Sequence, residues 1–85
     1  MIKPMALNTT EAFEILKKGD FVACEFKRNI HDFPKIYRFN VFKILQNKLD
    51  TKEIILQKKN NVYFNYEMFL DGKSNLKNII LIEKG

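Results

Sequence analysis

The chain has one cysteine, one histidine and three glycines in 85 residues, and each shortage closes a line of chemistry. The lone cysteine, Cys24, excludes an intramolecular disulfide and any Cys-rich zinc site, and suits a reducing compartment. With His31 as the sole histidine, no Ser-His-Asp or Cys-His constellation is set up by the spacing. His31 beside Asp32 reads first as an exposed loop pair, and only second as a general base or metal ligand. None of the glycines belongs to a phosphate-cradling loop, and no cluster of acids has metal-ligand spacing. No apolar run approaches the roughly 20 residues that cross a bilayer. Residues 1–7 lack a secretory hydrophobic region. The expectation is a cytoplasmic, non-enzymatic protein that uses no cofactor and no membrane.

A chain of 85 residues has room for one domain, residues 1–85, with residues 1–7 as a flexible lead. By the usual scaling it buries roughly 60% of its unfolded surface. Domains of that size are marginal alone, so self-association into a homo-oligomer is expected. Its hydrophobic content of 46% and charged content of 29% are those of an ordinary folded protein.

The net charge of +5 is unevenly placed. In residues 1–34, Lys3, Lys17, Lys18, Lys27 and Arg28 cancel Glu11, Glu14, Asp20, Glu25 and Asp32. In residues 65–85, Lys73, Lys77 and Lys84 cancel Glu67, Asp71 and Glu83. The excess lies in residues 35–64, where Lys35, Arg38, Lys43, Lys48, Lys52, Lys58 and Lys59 face only Asp50 and Glu53. Tyr37, Phe39, Phe42, Tyr63 and Phe64 are interleaved with them. Positive potential draws phosphates or acidic patches, and aromatic faces offer stacking area. The plainer reading is that exposed strand lysines keep a sheet soluble and its edges unpaired. Lysines also outnumber arginines 13 to 2, a bias of the kind AT-rich coding produces. Against that background Arg28 and Arg38 stand out, because a guanidinium suits bidentate phosphate or carboxylate contacts. Candidate binding residues are therefore Lys27, Arg28, His31, Tyr37, Arg38, Lys43, Lys58, Lys59 and Tyr63. Cys24 alternates with Val22 and Phe26 and reads as a small buried hydrophobe.

Local patterning gives the elements. Residues 8–18 read as a helix with Asn8 as N-cap, Glu11 completing a capping box and Leu7 stapling on Ala12. Ala12, Phe13, Ile15 and Leu16 supply its apolar face, and Gly19 stops it. From Asp20 the period becomes two, which places a strand through Val22, Cys24 and Phe26. Residues 29–34 read as a loop. Residues 35–45 form a long strand in which Tyr37, Phe39 and Val41 share one face and Phe42 and Ile44 the other, a slip that signals a bulge. Residues 47–50 read as a turn, 52–57 as a strand, Asn60 and Asn61 as a hairpin turn, and 62–65 as the returning strand. Asn65 either caps a short helical turn through Tyr66, Met68 and Phe69, or the strand continues. Residues 76–82 form a β-branched run that suits a central strand buried on both faces. The fold class is α+β: one N-terminal helix packed on a strongly bent, mostly antiparallel five-stranded sheet or small open barrel.

The opening Thr10-Glu11-Ala12, followed by Leu16, Gly19 and Val22, resembles the start of many small phage and prophage proteins in which a capped helix leads into a compact sheet. Among those of known role it is similar to the Thoeris anti-defence nucleotide-sponge family, small oligomeric phage proteins that sequester cyclic-ADP-ribose-type signals. The resemblance covers only the opening of the chain. No tryptophan or arginine pair follows Val22, where Ala23, Cys24 and Glu25 stand, so the family's ligand residues are not carried over. What the resemblance implies is a phage-like accessory protein, in the host cytoplasm, that inhibits or sequesters a host protein or phosphorylated small ligand by stoichiometric binding. The alternative is a nucleic-acid-binding β-protein that uses residues 35–64.

Overall fold

The computed structural model describes residues 3–27 and 40–85. These form six strands and two short helices: β1 (Met5–Ala6), α1 (Thr10–Glu14), β2 (Phe21–Phe26), β3 (Asn40–Lys48), β4 (Glu53–Gln57), β5 (Asn61–Asn65), α2 (Tyr66–Leu70) and β6 (Leu76–Glu83). All pairings are antiparallel, in the order β1-β6-β2-β3-β4-β5. The sheet has six strands instead of five, because Met5 and Ala6 pair with Leu81 and Ile80. Two residues carry no periodicity, so the sequence placed them in the N-terminal lead. Among the described residues the sheet has two edges, β1 and β5, and does not close.

Both helices lie on one side of the sheet, and the core fills the space between. Val22 and Cys24 of β2, Phe42 and Ile44 of β3, Ile54 and Leu56 of β4, and Ile79 and Leu81 of β6 are all buried there. Phe13 of α1 joins the layers: its ring stacks on Tyr66 at 5.2 Å and meets Phe64 and Phe69 edge-on at 6.1 and 5.6 Å. Burial, with Glu14's negative charge in second place, holds the Tyr66 hydroxyl above the usual phenol range.

The first helix is shorter than its signals suggest. Leu7 donates its N–H to Ile79 O at 3.0 Å, which holds the chain in the sheet through that residue. Thr9, not Asn8, becomes the N-cap, its hydroxyl accepting from Ala12 N. At the other end Asn47 of β3 donates to both Phe13 O (2.8 Å) and Leu16 O (3.1 Å). That side chain takes carbonyls a longer helix would have bonded itself, so Ile15 falls off the apolar face and stands exposed. Gly19 does adopt the left-handed conformation, with φ +96°. It sits in the turn before β2, where its N–H reaches Ile44 O.

Two further expectations shift, and one open alternative is decided. The β3 irregularity lies between Ile44 and Gln46, not between Val41 and Phe42, since Asn40, Phe42 and Ile44 alternate regularly into the core. β6 sits beside the two-residue edge strand and is buried on one face, with Ile80 and Ile82 only half-buried. Asn65 does cap α2, accepting from Met68 N at 3.0 Å. Residues 29–34 and the first part of the strand expected over 35–45 lie outside the described residues.

Candidate binding surface

Three meander lysines that gave the sequence its basic segment behave differently once folded. Lys48 pairs with Glu53 at 3.6 Å and Lys52 with Glu67 at 2.8 Å, both near the β3–β4 turn. Lys58 lies past β4, at the opposite end of the sheet. Its amine donates to Asn40 Oδ1 at 3.4 Å and stands 5.9 Å from the Phe42 ring centroid. An amide oxygen and an aromatic face are thus among its contacts there, and both help to position the cation. The Glu67 contact raises the Lys52 amine, through its hydrogen bond first and its charge second.

Strand register decides which candidate residues come together. Cys24 pairs with Asn40 and Gln57 with Asn61, so the end of β2, the start of β3 and the β4–β5 hairpin share one end of the sheet. Lys27, Lys58 and Lys59 are exposed at that end. Lys27 is fastened by its own N–H to Asn75 O (2.7 Å) and by Nζ to Gly72 O (3.0 Å). Lys43 and Tyr63 are elsewhere. Both point away from the core: Lys43 is flanked on β3 by buried Phe42 and Ile44, and Tyr63 on β5, opposite Ile55, is 58% exposed. Arg28, His31, Tyr37 and Arg38 lie outside the described residues. The nine candidates thus divide into a lysine cluster at the sheet end, two residues on the outer face, and four whose placement is not described.

No protein-family model, curated protein or solved structure matches the chain. The functional reading rests on its own chemistry. Among the described residues no group of three or more His, Cys, Asp or Glu side chains is placed to hold a metal ion. No helix there is long and apolar enough to cross a membrane. Cys24 is buried and desolvation raises its thiol far above the ordinary range, the reverse of what a nucleophilic thiolate requires.

The sequence reading passed over the outer face. Phe21 and Ala23 of β2, Val41 of β3, Ile55 of β4, and Ile80 and Ile82 of β6 alternate with core residues and so lie opposite the helices. The signal was the apolar run from Ile79 to Ile82 in β6. It suggested burial on both faces, and the structure puts both helices on the opposite face; on this one Ala23 and Ile55 are buried, Phe21, Ile80 and Ile82 half-buried and Val41 exposed.

Proposed function

We propose that this chain is a non-enzymatic, phage-like binding protein that inhibits or sequesters a host component bearing negative charge, an acidic protein or a phosphorylated small ligand. The observation that carries this reading is the gathering of Lys27, Lys58 and Lys59 at one end of the sheet, while Lys48 and Lys52 are paired with acids near the other. Exposed cations gathered at one end of a sheet raise the local positive potential that draws an anionic partner. The opening residues, which resemble those of small phage proteins, supply the class.

The test is native mass spectrometry of the protein isolated from a bacterial lysate, before and after a high-salt wash. A retained component of defined mass is expected, and Lys58→Glu with Lys59→Glu should remove it. A clean protein in both samples would count against the reading.

Tyr63 favours a second reading. An exposed ring on the strand that follows a lysine-bearing hairpin suits single-stranded nucleic acid running from the sheet end onto the outer face, where bases stack and phosphates meet cations. Three phosphate contacts would weaken binding roughly twentyfold for a fourfold rise in salt. A flat binding curve over that range removes this alternative.

A further inference from the structure

The outer face of β6, β2 and β3 has a pattern that is complementary to its own reverse. Register places Glu83 and Lys43 on opposite sides of Phe21, as cross-strand neighbours on β6 and β3. In the adjoining row Ile80 and Val41 flank Ala23 in the same way. Between the rows, the register shift next to Phe21 leaves Ile82 as an extra apolar residue on β6. Val41 is 47% exposed, while Lys43 and Glu83 are exposed at the rim of the apolar centre.

We propose that this face is a self-association surface, occupied by a second copy of the chain related by a two-fold axis that runs parallel to β2. Such an axis lays β6 of one copy over β3 of the other and β2 over β2. Each row then meets itself reversed. Glu83 faces Lys43 of the partner subunit, Phe21 meets its own equivalent, and Ile80 packs against the partner's Val41. An isologous interface must be self-complementary in this sense, and aligned sheet packing is a common way for two apolar faces to meet. A second copy is favoured over other occupants because the acid and the base stand on opposite sides of β2 while Ile80 and Val41 flank it alike, so reversal about β2 brings opposite charges and apolar residues together. The surface is separate from the lysine cluster at the sheet end, so the proposal stands or falls independently of the functional reading above.

Charge exchange tests it. The wild-type protein should sediment as a dimer at micromolar concentration in analytical ultracentrifugation. Lys43→Glu alone and Glu83→Lys alone each bring two like-charge pairs into the interface and should weaken the dimer by at least about tenfold. The double variant Lys43→Glu with Glu83→Lys should restore it. Both sites are solvent-facing in the monomer, and unchanged circular dichroism would show that the variants fold. A wild-type monomer at every concentration, or a double variant no better than the singles, would overturn the proposal and leave the face to a different partner.

Discussion

Cys24 shows how one buried side chain couples stability to pH. Its thiol is wholly enclosed between core strands, and desolvation disfavours the thiolate. The folded state therefore keeps the proton that the unfolded chain releases above its own pKa of about 8.5. A raised folded pKa contributes stability that is fully present below the unfolded value and is lost as pH rises beyond it, by up to about 1.4 kcal/mol per pH unit for one group. The buried Tyr66 hydroxyl acts in the same direction from about pH 10. Denaturant midpoints should accordingly fall from pH 8 to pH 10, and Cys24→Ala should flatten the earlier part of that fall. An unchanged slope in the variant would exclude the thiol as its cause. Phe13 is the corresponding residue for packing. It is fully buried and contacts three rings, so Phe13→Ala should cost about 3 to 5 kcal/mol in equilibrium unfolding.

The capped second helix gives the clearest prediction among the elements. Asn65 accepts from Met68 N and donates from Nδ2 to Thr51 O at 3.2 Å, so it both starts α2 and ties it to the β3–β4 turn. Replacing Asn65 by Ala should cost about 1 to 2 kcal/mol in urea unfolding. A cost near zero would mean that the cap is replaced by water. The β3–β4–β5 meander and the alternation of Val22, Cys24 and Phe26 were legible in the sequence because each is specified within a few residues, whereas Asn65 was legible as a candidate cap with helix and continued strand both open. What escaped depends on distant partners. The ends of α1 are set by Ile79 and Asn47, from strands β6 and β3, and β1 exists only because β6 offers an edge to pair with. For the binding surface, charge bookkeeping found the basic segment. Only the fold shows that Lys48 and Lys52 pair with acids and that Lys43 lies away from the sheet end that holds Lys58.

At the scale of the whole molecule the decisive feature is that β6 pairs with β1 on one side and β2 on the other. The sheet is completed by joining the two ends of the chain. Asn78 and Glu25, hydrogen-bonded at 2.8 Å, are 53 positions apart in sequence, and the β2–β6 ladder runs at similar separations. The meander can form locally. The long ladder must close a loop whose entropy cost comes before its contacts form. Refolding should therefore be slow for a chain of this size, in the millisecond-to-second range expected of non-local β topologies and not in microseconds. Stopped-flow fluorescence from Tyr66 and the other tyrosines reads this directly. Truncating Leu7, which is buried and bonded to Ile79 through its N–H, to alanine should lower stability by about 2 to 5 kcal/mol. If the β1–β6 docking forms after the folding barrier, the loss will appear mainly as faster unfolding. A matching slowdown in folding would place this end-to-end contact in the nucleus instead.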